Sequence, residues 1–305
     1  MVARVRRFLD KTLAQRALAL RFAGRRLLAA VPWLPVPQYV RREDGGRQWF
    51  WWSRLPPWFD PELGTLEHGG PDVAELRFLC RVMRPGMCFV DVGAYHGLYA
   101  VVAGRAMDGR GSLVLFEPSA RARRRIAVHL RLNRLTGTVE RYAVAGAGGQ
   151  RDFYEVVAGY ETMSALTPPP VADPVRRVSV AATTLDDYCA SRGLTRIDVL
   201  KIDVEGGELE LFAGAGWVLD VVRPVIIAEV LDWVTRPRGY EAREILSFLA
   251  GRGYAWFDFT PAGGLRAHCP QPDYPHVRNY LAVPREKLGA VGALIEPTLR
   301  QVVGA

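Results

Sequence analysis

From residue 87 onward, short unbroken apolar runs alternate with stretches whose apolar positions recur at helical intervals. A short apolar run bounded by turn residues reads as a buried strand, and helical spacing reads as one face of a helix. The pattern predicts strands over 88–92 and 112–116, followed by helices over 97–107 and 119–134. Further strands are predicted near 139–145 and 151–157, then over 175–180, 197–204, 224–229, 254–260 and 279–283. Helices are predicted over 72–83, from Thr184, over 207–213 and over 240–250. Strand–helix alternation with right-handed crossovers gives a doubly wound open sheet. Ligands of such sheets sit beyond the carboxyl ends of the strands, where Gly93, Glu117 and Asp203 are expected to gather.

Ahead of this region the pattern changes twice. Val5, Leu9, Leu13, Leu20 and Leu27 make a helical stripe that Arg16 interrupts, with Arg4, Arg7, Lys11 and Arg21 mostly off the line. This segment reads either as a helix lying on an anionic membrane surface or as a leader helix packed on the body with a solvated basic face. Arg21, Arg25 and Arg26 break the apolar stretch that a cleaved signal needs, although the Arg-rich, acid-poor composition is shared with organellar transit peptides. Residues 31–60 then bring five prolines together with Trp33, Trp49, Trp51, Trp52 and Trp58. That cluster is either an aromatic floor for a sugar or lipid acceptor or packing between an N-terminal cap and the core. The expected division is an extension over 1–60 and a main domain over 61–305.

Composition narrows the classes. The 305 residues are 49% hydrophobic and 24% charged, a globular mix with ample material for a core. Cys80, Cys88, Cys189 and Cys269 form no C-x-x-C pair, which argues against a zinc or disulfide framework and suits a reducing, cytoplasmic setting. No apolar run is long enough to span a membrane. Of the net charge of +8, residues 1–30 carry +7, so the body is close to neutral and has no basic stripe for nucleic acid.

Two segments carry candidate chemistry. The run Cys88-Phe-Val-Asp91-Val-Gly93 ends a strand in a glycine, where the backbone can approach a ligand closely. Glu117 ends the next strand 24 positions later, where a fixed acid can take two ribose hydroxyls. The second segment is Ile197-Asp-Val-Leu-Lys201-Ile-Asp203-Val-Glu205-Gly206-Gly207. Its two-residue period is expected to put Lys201, Asp203 and Glu205 on one side of a strand end. A lysine between carboxylates suggests mutual pairing, which reads either as a structural lock or as a carboxylate facing the reacting centre.

Phe89-Val-Asp-Val-Gly-Ala94, Phe116-Glu-Pro118, Thr184-Leu-Asp-Asp187, Leu200-Lys-Ile-Asp-Val-Glu-Gly206 and Arg223-Pro-Val-Ile-Ile-Ala-Glu229 resemble, in order and spacing, the FkbM-type methyltransferase family. The resemblance covers roughly residues 70–285, and the Lys201–Gly206 string is its most specific part. It implies a class I methyltransferase Rossmann-like fold, α/β with a doubly wound sheet, and S-adenosylmethionine as the methyl donor. It also implies methylation of a hydroxyl on a sugar, glycolipid or polyketide-type product. By position, Asp91, Gly93, Ala94, Tyr95 and Gly97 fall in the donor loop and Glu117 at the ribose. Asp203 and Glu205 fall beside the reacting centre. The family usually has asparagine after Gly-Ala, whereas this chain has Tyr95-His96; Tyr95 either stacks on the donor or fills space.

A sulfonium methyl is already activated, so what such a site must supply is alignment and a base for the acceptor hydroxyl. Asp203 is the first candidate for that base, Glu205 the second and His96 the third. His68, His129, His268 and His276 show no metal-ligand spacing, and no metal is expected. The turn-rich segment 159–174 is long enough for a lid, and equally reads as a plain surface connection. Trp256, Phe257 and Phe259 offer stacking surface, though their alternation reads first as a half-buried strand. The acceptor is expected to be a small molecule or glycolipid rather than nucleic acid. Three rival classes stand beside this: an NAD-dependent oxidoreductase, for which the middle glycine of G-x-G-x-x-G is missing; a nucleic-acid methyltransferase; and a non-catalytic donor-binding scaffold.

Overall fold

A computed structural model of the protein describes residues 35–41, 47–53, 72–158 and 161–296. The basic helix expected over 1–30, Trp33, Trp58, Gly159 and Tyr160 lie outside the described residues. Within the Trp-rich segment, β1 (Pro35–Arg41) and β2 (Arg47–Ser53) pair antiparallel as a separate two-stranded hairpin.

The alternating region builds the predicted doubly wound sheet. It contributes the strands β3 (Cys88–Val92), β4 (Ser112–Phe116) and β5 (Thr138–Glu140). Farther along come β9 (Val199–Ile202), β10 (Val225–Glu229), β11 (Tyr254–Phe259), β12 (Leu265–Ala267) and β13 (Asn279–Pro284). Their order across the eight-stranded sheet is β12-β11-β13-β10-β9-β3-β4-β5. Strands β10, β9, β3, β4 and β5 run parallel, while β13 is antiparallel to both neighbours. Every residue of β3, β9 and β10 is buried, as expected of parallel strands covered on both faces.

Helices cover the two faces separately because successive side chains point opposite ways. Phe89 and Leu115 pack on one side with α1 (Val73–Val82), α2 (Leu98–Ala106) and α3 (Ala120–Leu132). Val90, Phe116 and Leu200 pack on the other with α4 (Leu185–Arg192), α5 (Glu208–Ala213) and α6 (Arg243–Ala250). The chain leaves β3 toward β4 on one side, and β9 flanks β3 on the other. This reversal of strand order opens a crevice at the carboxyl ends of β3, β4 and β9.

Three expectations need correcting. The strand expected near 139–145 is two strands, β5 in the main sheet and β6 (Ala143–Val144) in another. With β7 (Gly149–Val156) and β8 (Val175–Thr183), β6 forms a small sheet of order β6-β8-β7 standing beside the crevice. The strand expected over 197–204 stops at Ile202. It stops because the next residues turn to form a loop in which Glu205 takes a left-handed φ of 55° and Gly206 one of 87°. Finally, β12 pairs with β11 where no strand was foreseen. Among the described residues no helix is long and apolar enough to cross a membrane.

Candidate functional site

The turn after β3 lies flat against the end of β4. Gly93, Tyr95 and Gly97 all have positive φ, at 79°, 45° and 79°. The Gly93 and Ala94 amides both donate to the Phe116 carbonyl, at 3.0 and 3.1 Å, and the Tyr95 amide donates to Glu117 Oε2 at 2.8 Å. Glycine is obligatory at position 93: an added Cβ would sit 1.8 Å from the Asp203 carbonyl oxygen. Gly97 caps the start of α2.

Beside this turn is a cavity of about 280 Å³ whose walls include Gly93, Tyr95, Glu117, Ser119, Phe153 and Asp203. Glu117 is buried at its rim, with Oε1 accepting from the Ser119 amide at 2.7 Å. Burial pushes its carboxyl up to about 7, although the two backbone amides and Arg123 pull the other way. The other donor-loop residues divide. Tyr95 and Gly93 face the cavity, whereas Asp91, Ala94 and Gly97 are not among its lining residues. Asp91 is buried inside β3, paired in register with Lys201 of β9, and its burial pushes its carboxyl to about 7. The Tyr95 ring stacks on His96, with centroids 3.5 Å apart. His96 is buried against the Arg125 guanidinium, and burial, with the charge of Arg125, holds it far below the usual histidine range. It stays neutral, with one ring nitrogen engaged.

The opposite wall was not legible as a site. Glu155 on β7 accepts from Ser119 Oγ and from Arg176 of β8, each at 2.5 Å. The turn Glu161–Met163 is pinned across the opening by Arg121 at 2.9 Å and Arg125 at 3.6 Å from Glu161. The segment read as a lid or a plain connection therefore supplies cavity wall, through Glu161, Thr162 and Ser164. Trp256 and Phe257, by contrast, are buried in β11, with the Trp256 indole donating to Leu246, and are core packing.

The Lys201–Gly206 string carries the acidic end of the cavity. Lys201 is buried, and its Nζ reaches Asp203 Oδ2 at 2.9 Å. Burial disfavours its charge, but Asp203, Asp91 and Glu229 outweigh that and hold it above the ordinary lysine range. Asp203 and Glu205 come from the loop rather than the strand, so their meeting is not the two-residue alternation that was expected. Glu208 shapes that loop, with Oε1 accepting from the Val204 and Gly206 amides at 3.0 and 3.3 Å. Glu229, at the end of β10, joins Asp203 and Glu205, one carboxylate oxygen from each lying within 4.8 Å of the others. Burial, then neighbouring carboxylates, hold Glu205 and Glu229 well above the usual range. Sequence reasoning placed Glu229 only in a strand motif. The Thr184–Asp187 motif is structural: Thr184 caps α4, and Asp186 accepts from the Trp217 and Val218 amides.

A second, more open cavity of about 900 Å³ is lined by Asp72, Glu75, Asp258, His268, Tyr274 and Asn279 among others. Asn279 lies opposite Glu229 in the β10–β13 register, so this cavity reaches the end of β10 that carries Glu229.

The family model described as the methyltransferase FkbM domain matches residues 91–255, more than half of the chain. No curated protein matches it. Among solved structures, the chain is similar to an FkbM methyltransferase from Methylobacillus flagellatus KT, with 14% identity and a TM-score of 0.40 over 68% of this chain. The chain spans about half, 51%, of that protein. It is also similar to an rRNA methylase from Streptococcus thermophilus, with 12% identity and a TM-score of 0.39, covering 70% of this chain and 95% of that one. An O-methyltransferase from Bacillus cereus, solved with its bound nucleoside product, shows 11% identity and a TM-score of 0.38, covering 68% of this chain and 76% of that one.

Proposed function

The chain belongs to the FkbM methyltransferase family, and from that premise we propose that it transfers a methyl group from S-adenosylmethionine to a hydroxyl of a small molecule or glycolipid. The observation that carries this reading is one cavity with a buried ribose-type acid, Glu117, in its lining and an ion-paired carboxylate, Asp203, beside it. The residues fit the donor: Glu117 already holds two backbone amides and keeps lone pairs for two ribose hydroxyls, and Tyr95 and Phe153 give apolar walls. Bound S-adenosylmethionine supplies a methyl already activated on a positively charged sulfur.

The chain's own residues do the rest. Glu117 and the turn at Gly93 fix the nucleoside, and the small sheet with the Glu161 turn closes the cavity against water. Orientation of this kind contributes about 7–11 kcal/mol to a two-reactant step. Lys201 holds the Asp203 carboxylate in one direction by their 2.9 Å ion pair. Asp203 takes the hydroxyl proton as the carbon–oxygen bond forms, an assistance of about 10²–10⁴-fold. Glu205 and Glu229 sit behind it. His96, neutral and tied to Arg125, has no part in proton transfer.

The second cavity mixes Asp72, Asp258 and Asp273 with Arg266, Arg278 and the rings of Tyr274 and Tyr280, a lining that suits a hydroxyl-bearing acceptor held by polar and stacking contacts. The test is incubation with methyl-labelled donor and a metabolite and glycolipid extract, followed by identification of the labelled product. Asp203→Asn should leave binding of S-adenosylhomocysteine, the donor's product, within about twofold and slow transfer by about 10²–10⁴. Unchanged turnover in Asp203→Asn would remove it as the base, and label appearing on RNA would overturn the acceptor class.

A further inference from the structure

Among the described residues, Asp203, Glu205 and Glu229 bring together more carboxyl groups than neighbouring cations. One oxygen from each lies within 4.8 Å of the other two. Lys201 pairs with Asp203, and Arg238 donates to the backbone carbonyl of Glu205 at 2.7 Å rather than to the carboxylates. With Lys201 paired to Asp203 and the charge of Arg238 nearby, the described residues still bring fewer cations than carboxyl groups to this cluster.

Glu229 supplies the second observation. It arrives on a different strand, β10, and is only 8% exposed. Its Oε2 is buried and has no hydrogen-bond partner among the described residues. Burying an unpartnered carboxylate oxygen is costly, and native structures rarely leave one so. Its carboxylate meets Asp203 and Glu205 where the missing positive charge belongs.

The donor set also defines the chemistry. All three groups offer oxygen and none offers nitrogen or sulfur, which selects magnesium, calcium or manganese over zinc. Oxygens bound to one such ion at about 2.0–2.6 Å stand within about 4–5 Å of each other, which is the span this cluster occupies. The expectation of no metal rests on histidine spacing and does not weigh carboxylates brought together from separate strands.

We propose that Asp203, Glu205 and Glu229 bind one hard divalent cation, with water and, in turnover, the acceptor oxygen completing its shell. The ion site stands on the cluster itself; its use in holding the acceptor rests on the hydroxyl-methylating reading above.

The test uses the full chain, stripped with chelator and titrated with Mn²⁺ while free ion is followed by electron paramagnetic resonance. One saturable site is expected, displaced by Mg²⁺ or Ca²⁺ and weakened more than about tenfold in Glu205→Gln and in Glu229→Gln. Calorimetry with S-adenosylhomocysteine on the stripped protein runs in parallel. If Mn²⁺ does not bind, or binds both variants like wild type, the cation site is refuted even where the nucleoside binds. Failure of the nucleoside to bind would overturn the donor reading alone, leaving the cation site to stand or fall on the Mn²⁺ titration. Should Glu229→Gln fail to fold by thermal melting, Glu205→Gln, whose side chain is only partly buried, decides the question.

Discussion

Replacing Glu117 with glutamine keeps the shape of the side chain and removes its charge, and the structure gives the size of the effect. Both carboxylate oxygens already accept a backbone amide, from Tyr95 at 2.8 Å and Ser119 at 2.7 Å. A ribose would add two more donors. Glutamine has one oxygen to offer, and its NH₂ must face a backbone amide or a hydroxyl that it cannot accept from. Hydrogen bonds to a charged acceptor contribute about 1.5–3 kcal/mol each, so losing one predicts about 10–150-fold weaker donor binding. The pH dependence supplies an internal control. The Glu117 carboxyl is raised to about 7 in the unoccupied fold, chiefly by burial, so wild-type affinity should decline toward tenfold per pH unit below about 7. Protonation there does not unfold the protein through this group: a carboxyl raised in the fold stabilises it most at low pH and loses that contribution as pH rises from 4.5 through about 7. Calorimetry with S-adenosylhomocysteine from about pH 5.5 to 8.5 reads both effects. In Glu117→Gln the acid limb should shrink sharply, and any remainder would belong to the other raised carboxyls, Asp91, Glu205 and Glu229. A wild-type affinity that is flat through pH 7, or a glutamine variant equal to wild type at pH 8.5, would refute the assignment.

Two further perturbations bear on the frame. Gly93→Ala puts a Cβ 1.8 Å from the Asp203 carbonyl oxygen at a φ of +79°, so it must force β3 and the β9 loop apart. Strain and overpacking together predict a loss of about 3 kcal/mol or more in urea unfolding, and a loss under about 1 kcal/mol would show that the turn relaxes. Glu75, a buried residue of α1, is raised from 4.5 to about 8 by desolvation and then by Asp72, so the fold favours its neutral form. Its contribution is complete below pH 4.5 and is lost as pH rises through about 8. Glu75→Gln should therefore match wild type near pH 5 and exceed it near pH 9 by a few kcal/mol, since each pH unit between those two values costs the wild type on the order of 1.4 kcal/mol. Parallel stability curves for the two proteins across that range would contradict this.

The sheet was legible because parallel strands covered on both faces leave unmistakable apolar runs, as in Cys88–Val92 and Val225–Glu229. The small sheet was legible only in fragments. Its strand Val175–Thr183 is mostly exposed or half-buried and carries no clear period, while Arg141 and Tyr142 mark a change of sheet that no local preference announces. The Trp-rich strands were not foreseen because the prolines at 35 and 37 argue against a strand there. For the site, residues at strand ends could be named from sequence because the crevice position follows from topology. Gly93, Glu117 and Asp203 do meet there. Asp91 did not join them, since a strand residue one position from the end can turn into the sheet. Glu155, Arg176 and Glu229 were not identified because each reaches the site only through long-range pairing of strands.

The carboxylate of Asp203 in the cavity wall bears on the reaction as well as on binding. Asp203, clustered with Glu205 and Glu229, is the one of the three that lines the cavity, and it gives up its own charge when it takes the acceptor proton. Methyl transfer therefore cancels a positive and a negative charge together. In a crevice shielded from water, where such charges are weakly solvated, cancelling them is favoured over keeping them apart. The Asp203 carboxylate in the cavity wall favours the charged donor over the neutral product, which helps the product leave. Competition calorimetry should accordingly show S-adenosylmethionine binding more tightly than S-adenosylhomocysteine, with the preference reduced in Asp203→Asn. Equal affinities in wild type would mean that Asp203 does not sense the sulfur, and the crevice would then need another source of discrimination between donor and product.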